Sequence, residues 1–272
     1  MVQVTLFASL VELAVVVLFA LVAIGAKAID RRGLLASVAV GYPIILGGGW
    51  RWFVIVATFF VLGVVFTWYR YGYKKSIGSA QEKGGTRNWP NILANGGVAS
   101  LLGFGELLGG GLIFSVLYVG AVSAAASDTV ATELGLLNKS PPRLVTNLRK
   151  VVSPGTSGGV SPAGFAGTLL ASGLMGVVAA SLGVAVGLQA YYVVAVTVAG
   201  GVVGSLADSV AGASIQMKSF CVVCGKPSEN LVHCGEPTRY SSGLKLVDNH
   251  VVNVIATVFG ALGALGLYLL VR

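Results

Sequence analysis

The sequence predicts an all-α integral membrane protein with about eight transmembrane helices, and three observations support this class. Hydrophobic residues make up 55% of the 272-residue chain and charged residues only 10%, whereas soluble domains carry roughly 25% charged residues. Several apolar stretches approach the roughly 20 residues that a spanning helix needs. The chain also has 39 Gly, as expected where transmembrane helices pack closely through small residues. Residues 1–272 are therefore interpreted as one polytopic membrane domain.

The predicted spans are, in chain order, 4–26, 33–49, 52–69, 91–106, 109–127, 162–182, 188–207 and 249–271. The second and fourth spans are short, and the fourth begins with polar and Gly residues, so it is expected to insert only in part. The apolar run at 2–26 is too long for a signal-peptide core and follows no basic region, so no cleavable signal peptide is expected.

The Lys and Arg residues predict the orientation in the membrane. With eight spans, the loops 27–32, 70–90, 128–161 and 208–248 fall on one side, and they hold 16 of the 18 Lys and Arg residues. The positive-inside rule makes that side cytoplasmic and places both termini outside. The net charge of +8 is explained by this loop bias and does not indicate nucleic-acid binding. Any chemistry is therefore expected at the cytoplasmic face.

Two acidic motifs end the fifth and seventh predicted spans. Asp128-Thr129-Val130-Ala131 and Asp208-Ser209-Val210-Ala211 share the pattern Asp-(Thr/Ser)-Val-Ala. A carboxylate in such apolar surroundings is costly unless it is paired or coordinates an ion. The matching pair predicts a Mg²⁺ site, because Mg²⁺ binds through one or two carboxylates together with waters and substrate phosphates. Glu133 is a further candidate ligand, and the alternative for each Asp is a hydrated or capping helix-end residue.

The triplets Gly96-Gly97-Val98 and Gly158-Gly159-Val160 each precede two spans and then an acidic motif. This arrangement predicts a parallel internal repeat, in which both halves have the same orientation.

The stretch QEKGGTRNWPNILANGG, residues 81–97, is polar for so apolar a chain. Gly lets main-chain N–H groups form a concave anion nest, and Arg grips phosphate oxygens in a bidentate fashion. The stretch therefore predicts a phosphate site, and the alternative is a basic loop that lies on anionic lipid. Its candidate residues are Lys83 and Arg87 as catalytic cations, with Gly84, Gly85, Asn91, Asn95, Gly96 and Gly97 as binding residues.

A second Gly- and hydroxyl-rich loop, SPGTSGGVSP at 153–162, leads into the sixth predicted span. Such a loop before a helix N-terminus is a ready anion site, although no Gly-Lys-(Ser/Thr) of a Walker A motif follows. Its candidate phosphate-binding residues are Gly155, Thr156, Ser157, Gly158 and Gly159. At the start of the last span, Asn249 and Asn253 are one helical turn apart and share a face, where they could bind a nucleotide or hold the acidic motifs in place.

All three Cys residues lie in CVVCGKPSENLVHCG. Cys221 and Cys224 have the spacing of a zinc knuckle, and His233 and Cys234 complete a four-ligand set. Two adjacent residues are awkward as joint ligands, so one ligand could come from elsewhere. A cytoplasmic location argues against a disulfide. The loop 217–247 is therefore predicted to hold a structural Zn²⁺, with free thiols as the alternative.

Taken in order, the motifs EKGGTRNWPNILANGG, ASDTVATELG, SPGTSGGVSPAG, GSLADSVAGASIQ, CVVCGK, HCGEPT and DNHVVN resemble a membrane family long described as a domain of unknown function. That family includes the plant phytyl-phosphate kinase of tocopherol synthesis, and it is distantly similar to CTP-using lipid kinases. The resemblance runs from about residue 30 to the C-terminus. The family pattern has Trp after the Asp-Thr of the first acidic motif, where this chain has Val130.

The resemblance implies Mg²⁺-dependent phosphoryl transfer from CTP, or another nucleoside triphosphate, to an isoprenyl monophosphate of the phytyl or geranylgeranyl class. Such transfer depends mainly on positioning and charge neutralisation, so the lack of an obvious catalytic His is no obstacle. Asp128 and Asp208 are expected to hold Mg²⁺, and Lys83, Arg87 and the 155–159 loop to hold phosphates. The rival functions are a CTP:lipid-phosphate cytidylyltransferase and a transporter. A non-catalytic scaffold would leave the paired acidic motifs unexplained.

Overall fold

The structure, a computed structural model, describes residues 6–185, 187–225, 227–228 and 232–272, without the side chains of Glu82, Lys83, Pro227, Ser228 and His233. Long helices cross the molecule and short strands lie in the loops. The helices are α1 Leu6–Gly25, α2 Arg31–Trp68, α3 Tyr71–Ser76, α4 Trp89–Leu107, α5 Gly111–Gly135, α6 Pro162–Ser181, α7 Ala190–Ser214 and α8 Asn249–Val271, with a 3-10 helix at Glu82–Gly85. The strands are β1 Arg143–Leu144, β2 Asn147–Val151, β3 Gly159–Val160, β4 Lys218–Phe220, β5 Pro227–Ser228, β6 Val232–His233, β7 Glu236–Pro237 and β8 Arg239–Ser242.

The 38 residues of α2 form two helical halves that fold back on each other. Gly49 breaks the helix with φ 67° and ψ −169°, a backbone conformation that favours Gly. A Cβ on Gly41 would lie 3.5 Å from the Phe53 ring, although 12 residues of straight helix would separate the two by about 18 Å. The predicted spans 33–49 and 52–69 therefore correspond to the two halves of a helical hairpin.

Six helices of the described chain are long and apolar enough to cross a membrane, namely α1, α2, α5, α6, α7 and α8. This finding confirms the predicted class of all-α membrane protein. The count treats the α2 hairpin as one helix and leaves out α4, so eight spans remain a prediction. The first, sixth and eighth predicted spans match α1, α6 and α8 to within two residues at each end.

Helices α5 and α7 extend well beyond the predicted spans 109–127 and 188–207. They end at Gly135 and Ser214, so Asp128 and Asp208 lie about two turns before the helix ends rather than at them. The sequence analysis placed the helix ends too early because it treated the first carboxylate as the end of the apolar run. Small residues continue both helices after the Asp, and neighbouring helices pack against these last turns.

The long loops lie together at one end of the helix bundle. The backbone of Arg87 pairs with Ala28 and Asp30, and Ser79 Oγ donates to the Pro154 carbonyl at 3.2 Å. Four helices begin at this end behind polar N-caps that accept a backbone N–H bond, namely Asp30, Asn88, Ser161 and Asp248. The loops that carry most of the basic residues therefore share one face, here called the loop face.

Exposed aromatic side chains mark both ends of the bundle. Trp68 and Trp89 are 43% and 45% exposed at the loop face, and Trp50 is 59% exposed at the opposite end. The 18 residues from Trp50 to Trp68 rise about 27 Å in an α-helix, which is close to the thickness of a bilayer's hydrocarbon core. Trp is enriched at membrane interfaces, so these side chains agree with a spanning orientation of the second half of α2.

Helix α5 forms the centre of the bundle and packs against the α2 hairpin and α4, α6, α7 and α8. Small residues make these contacts close, since Gly120 of α5 touches Gly200 of α7 and Gly260 of α8. Close approach of helices through Gly is the usual basis of packing in membranes, where no hydrophobic force draws helices together.

The predicted internal repeat is only partly reflected in the structure. Hairpins α4–α5 and α6–α7 both start at the loop face, and α5 and α7 run parallel. Their Gly-Gly-Val triplets are not equivalent, however. Gly96 and Gly97 lie inside α4, whereas Gly158 is in a loop with φ 79° and Gly159 begins β3. The triplet match is thus wrong as a sign of repetition.

Two loops carry small antiparallel sheets. In the loop before α6, β1 pairs with both β2 and β3. In the loop before α8, β4 pairs with β5 and β8, and β6 and β7 form a separate hairpin. The region predicted as a Cys/His loop at 217–247 therefore has its own short strands within the described residues.

Candidate active site

Asp128 and Asp208 lie at the same depth on adjacent parallel helices. Gly200 packs on Gly120, and a Cβ on Gly204 would overlap the Ala124 methyl group. Asp128 follows Ala124 by four residues, and Asp208 follows Gly204 by four residues. Each step is about 6 Å along the helix axis. Both carboxylates are half-buried. The structure thus brings the two acidic motifs together near the loop face.

Helix α8 runs in the opposite direction and adds polar groups at this depth. The carbonyl oxygens of Gly260 and Ala256 lie 2.8 Å from the Cβ positions of Gly200 and Gly204. The next buried turn of α8 brings Asn253, which is 7% exposed, to the depth of the two carboxylates. Asn249 begins the helix one turn further toward the loops.

His250 belongs to the same first turn of α8, and the sequence analysis gave it no definite role. Its Nδ1 atom is buried and has no hydrogen-bond partner among the described residues. The sequence feature that could have identified His250 was its position directly after Asn249, a predicted site residue. Without the antiparallel packing of α8, nothing linked this ring to the acidic motifs.

Hydroxyl groups form a buried polar layer below the carboxylates. Ser205 and Thr168 share a hydrogen bond of 3.1 Å between their hydroxyl oxygens, and Ser127 donates to the Thr168 carbonyl at 3.4 Å. Ser127 precedes Asp128, and Ser205 precedes Asp208 by three residues. These internal bonds satisfy the buried hydroxyls, so they hold α5, α6 and α7 in one arrangement under the two acids.

The Gly-rich loop at 153–160 packs on the last turn of α7. A Cβ on Gly158 would meet the backbone of Ala213, five residues after Asp208. Gly155 and Gly158 have φ values of 81° and 79°, which only Gly adopts at little cost. The loop therefore approaches the acidic pair from the loop face, as a phosphate-binding loop must.

Some of the hydrogen-bond donors of this loop are used within its own turns. The N–H groups of Thr156 and Gly159 donate to the carbonyls of Ser153 and Thr156, and the Thr156 hydroxyl also donates to Ser153. These two N–H groups and the Thr156 hydroxyl proton are therefore already used. The phosphate-binding role of Gly155, Ser157 and Gly158 remains a prediction.

Two lysines beside this loop were not among the predicted site residues. Lys218 of β4 donates to the Ala213 carbonyl at 2.9 Å. Ala213 lies in the last turn of α7, against which Gly158 packs. Burial and then the charge of Lys150 lower the pKa of Lys218. Only the pairing of short strands brings them here, and no motif in the sequence indicated it.

Glu133 forms a buried ion pair. Its Oε2 atom accepts from Lys74 at 2.5 Å, and its Oε1 atom accepts from the Thr67 hydroxyl at 3.1 Å. Lys74 is 1% exposed and also donates to the carbonyls of Phe66 and Thr67. Both oxygens of Glu133 are engaged in this way, so the role predicted for Glu133 as a Mg²⁺ ligand remains a prediction. The sequence analysis missed the partner because Lys74 is 59 residues away.

Arg87, Asn91 and Asn95 line one cavity between α1, the α2 hairpin and the start of α4. The guanidinium lies over the rings of Phe59 and Phe60, 5.5 and 5.6 Å from their centroids. Burial lowers the pKa of Arg87 to about 10, and the nearby charge of Glu133 opposes this shift. Arg87 therefore keeps its positive charge at neutral pH.

The remaining residues of the 81–97 stretch have mixed roles. Gly85 is buried against Thr67, with φ 85°, and Gly84 is exposed, with φ 73°. Gly96 packs against Val40 within α4, and Gly97 faces open space. Because interior helix N–H groups are bonded within the helix, Gly96 and Gly97 do not form an anion nest, contrary to the prediction. The side chain of Lys83 lies outside the described residues.

The donor set near α5, α7 and α8 fits Mg²⁺. Asp128 and Asp208 supply two half-buried carboxylates at one depth, and Asn253 adds an amide. Mg²⁺ prefers oxygen ligands and commonly uses one or two carboxylates, with waters and phosphate oxygens in the other positions.

The three thiols cluster in the loop before α8. The sulfur atoms of Cys221, Cys224 and Cys234 all lie within 4.8 Å of one another. The N–H of Val223 points to the Cys221 sulfur at 3.4 Å, and Gly225 N–H closes the turn on the Cys221 carbonyl. Three sulfurs at this spacing fit a tetrahedral zinc centre. The predicted fourth ligand, His233, has its side chain outside the described residues.

The chain is similar to a family of membrane proteins and to several individual relatives. The sequence model of a family described as integral membrane protein DUF92 matches residues 14–261. Protein PGR of Arabidopsis thaliana is 30% identical over 262 residues, which cover 85% of this chain and 85% of that protein. No solved structure matches the chain.

Two further relatives come from an archaeon and a plant. A protein of Methanocaldococcus jannaschii named uncharacterized membrane protein MJ0933 is 28% identical over 270 residues, covering 95% of this chain and 93% of that protein. Protein VTE6, chloroplastic, of Arabidopsis thaliana is 29% identical over 242 residues, covering 87% of this chain and 64% of that protein.

Proposed function

Since this chain belongs to the DUF92 family of integral membrane proteins, we propose that it transfers a phosphoryl group from a nucleoside triphosphate to an isoprenyl monophosphate. CTP is the proposed donor, and a phytyl or geranylgeranyl phosphate is the proposed acceptor. The products are the isoprenyl diphosphate and CDP. Family membership confirms the resemblance that the ordered motifs predicted, and that resemblance implies this substrate class.

One observation carries the proposal, namely that Asp128 and Asp208 lie at one depth beneath the Gly-rich loop. The contacts of Gly204 with Ala124 and of Gly158 with Ala213 support this arrangement. Two carboxylates for a divalent cation and a loop for an anion are the parts that phosphoryl transfer requires. The lysines Lys150 and Lys218 beside the loop add positive charge for a triphosphate.

The bond changes in the proposed reaction balance without an external base. An oxygen of the acceptor phosphate attacks the γ-phosphorus of CTP, and the bond from that phosphorus to the β–γ bridging oxygen breaks. The acceptor oxygen is already anionic, so no residue has to remove a proton from it. Mg²⁺, when bound by Asp128 and Asp208, neutralises charge on the donor phosphates. Arg87 holds the acceptor phosphate, and Lys218 and the 155–158 backbone orient the donor.

The rival functions differ in where the charged residues should lie. A transporter is expected to bind its substrate near the middle of the membrane. Asp128 and Asp208 lie about two turns from the loop-face ends of their helices, which favours an enzyme acting at the membrane surface. A cytidylyltransferase would use the same donor site, and its by-product separates it from the kinase.

The test uses purified protein in detergent with Mg²⁺, γ-labelled CTP and geranylgeranyl phosphate. Label in a prenyl diphosphate, together with free CDP, supports the kinase. Label released as pyrophosphate, with cytidylate on the lipid, identifies the cytidylyltransferase instead. No turnover with CTP, ATP, GTP or UTP across several prenyl phosphates rejects both enzymes and leaves the transporter. The same reaction without Mg²⁺ is the control for metal dependence.

A further inference from the structure

A second concave site lies apart from the acidic pair, between α1, the two halves of α2 and the start of α4. Its wall is apolar except near the loop face. Phe53, Phe59 and Phe60 of α2 face Ala20 and Val16 of α1 across it. From Phe60 to Phe53 the helix rises about 10 Å, so the apolar part reaches well into the membrane.

The polar end of this cavity carries a positive charge. Arg87, Asn91 and Asn95 are grouped where α4 begins, at the loop face. The Asn95 amide donates one bond to the Asn91 carbonyl at 2.9 Å. An apolar cavity with a few convergent polar groups at one end is the usual form of a small-molecule site.

The charge of Arg87 has no hydrogen-bonded counterion in the described part of the chain. Its guanidinium lies over the rings of Phe59 and Phe60 and packs against Gly63. Glu133 is near enough to act on it electrostatically, but that carboxylate already accepts from Lys74 and Thr67. Because Glu133 is shared with Lys74, the Arg87 guanidinium can complement an anion in the cavity.

Gly63 allows the guanidinium to reach this position. A Cβ at residue 63 would overlap the terminal nitrogens of Arg87. The guanidinium therefore packs against the second half of α2, close to Gly63 and the two Phe rings. This packing fixes the charge at the mouth of the apolar cavity.

We propose that this cavity binds a single-chain lipid phosphate, with its hydrocarbon chain between α1 and the α2 hairpin and its phosphate on Arg87, Asn91 and Asn95. Resting on the proposed function, the inference makes this lipid the acceptor. The aromatic walls formed by Phe59 and Phe60 suit the flat double bonds of an isoprenyl chain.

Two variants probe the two ends of the cavity. Arg87→Gln removes the charge, and it is expected to weaken binding of geranylgeranyl phosphate about tenfold or more without affecting geranylgeraniol. Ala57→Phe fills the apolar part and is expected to weaken binding of both lipids. Val61→Phe is the matched control on the same helix, because Val61 is 51% exposed on the outer surface.

Binding is measured without nucleotide or Mg²⁺ by native mass spectrometry and by displacement of a fluorescent geranylgeranyl phosphate. Inorganic phosphate and two-chain phosphatidic acid serve as competitors, and neither is expected to displace the probe. Gly63→Ala is a second variant of the charged end, since it shifts Arg87 without removing it, and intermediate affinity is expected. Thermal unfolding of each variant shows whether it is folded.

The proposal is overturned if folded Arg87→Gln and Ala57→Phe bind the probe as the wild type does, or if phosphatidic acid or inorganic phosphate displaces it equally well. Wild-type binding that these variants weaken, combined with no turnover of any nucleotide, supports the cavity and rejects the kinase. Turnover by the wild type, with variants that bind normally, rejects the cavity and leaves the kinase intact.

Discussion

Asp128 and Asp208 are the two side chains on which the proposed chemistry depends most directly. Each lies within a helix rather than in a loop, so its position is set by packing and not by a flexible backbone. Just below the acids, the Thr168 and Ser205 hydroxyls bond each other and the Ser127 hydroxyl donates to the Thr168 carbonyl. A neutral isostere at either Asp should therefore change the charge of the site without disturbing the fold.

We expect Asp128→Asn and Asp208→Asn each to lower kcat by about 100-fold or more, because each removes a charged ligand of the divalent cation. Transfer of label from γ-labelled CTP measures this effect. Asp30→Asn is the control, since Asp30 caps α2 through its bond to Gly33 N–H and Asn caps equally well. If either site variant keeps wild-type activity, the assignment of the metal to that residue is wrong.

The ion pair between Lys74 and Glu133 affects stability rather than chemistry. Both side chains are nearly inaccessible, at 1% and 3% exposure. Loss of one partner leaves a buried charge uncompensated, which typically costs 3–5 kcal/mol. We expect Glu133→Gln to lower the free energy of unfolding by about that amount, measured by SDS titration in mixed micelles.

Two comparisons make the Glu133 result specific. The double variant Lys74→Met/Glu133→Gln should recover much of the lost stability, because no unpaired charge remains. Glu236→Gln, at an exposed position of β7, should change stability little. A double variant less stable than Glu133→Gln alone would contradict this account of the pair.

Among the helices, α5, α7 and α8 depend on Gly for their spacing. Gly204 touches Ala124 of α5 and the Ala256 carbonyl of α8 at once. Neither neighbour can move easily, because one contact is a backbone carbonyl and the other a short side chain on a packed helix. The distance between the two acidic residues therefore depends on a position that carries no chemical group of its own.

We expect Gly204→Ala to lower the free energy of unfolding by about 1–3 kcal/mol, the usual cost of overpacking. It should also lower kcat, since it pushes apart the helices that carry Asp128 and Asp208. Gly266→Ala on α8 is the control, because a Cβ there meets nothing within 4 Å. Equal stability and activity of the two variants would rule out this role of Gly204.

The loop before α8 is the second element with a specific expectation. If the cluster of Cys221, Cys224 and Cys234 is a structural zinc centre, the purified protein should contain about one Zn²⁺ per chain. We expect Cys224→Ser or Cys234→Ser to lose the metal and to become more sensitive to protease in this loop, whereas Ser219→Ala should retain it. Elemental analysis measures the metal. Metal-free protein with three freely titrating thiols would favour the alternative of free thiols.

The whole molecule separates its surfaces by charge and by loop length. The connections at the loop face carry small sheets, the Gly-rich loop and most of the cations, whereas the opposite end has short turns. There, Arg51 donates to the Gly183 carbonyl at 3.4 Å. Both proposed binding sites open toward the same face, which a reaction between a water-soluble nucleotide and a membrane lipid requires.

We expect a membrane-impermeant maleimide to reach Lys75→Cys only in inverted vesicles and Gly109→Cys only in intact cells, because the positive-inside rule predicts a cytoplasmic loop face. Both positions are exposed at opposite ends of the bundle. Peptide mass spectrometry separates these sites from the native cysteines. Labelling of both positions from the same side would contradict the shared loop face, and reversed labelling would invert the orientation.

Much of the architecture could be predicted because its causes are local in the chain. The membrane class follows from composition, and the starts of α4, α6 and α8 follow from Asn88, Ser161 and Asp248 at their caps. The alternation of spans and loops along the chain also predicted that the basic loops share a face. The ends of α5 and α7 were missed because small residues beyond each Asp favour a helix only when neighbouring helices pack against them.

The candidate site required tertiary structure, because its parts are far apart in the chain and depend on how helices pair. The sequence identified Asp128, Asp208 and Arg87 as candidate site residues, because a charged group in an apolar chain is costly to bury. The register of α5 against α7 depends on close contacts through Gly200 and Gly204, and the position of Arg87 depends on Gly63. Such contacts depend on the shapes of neighbouring helices, so they could not be predicted from the sequence.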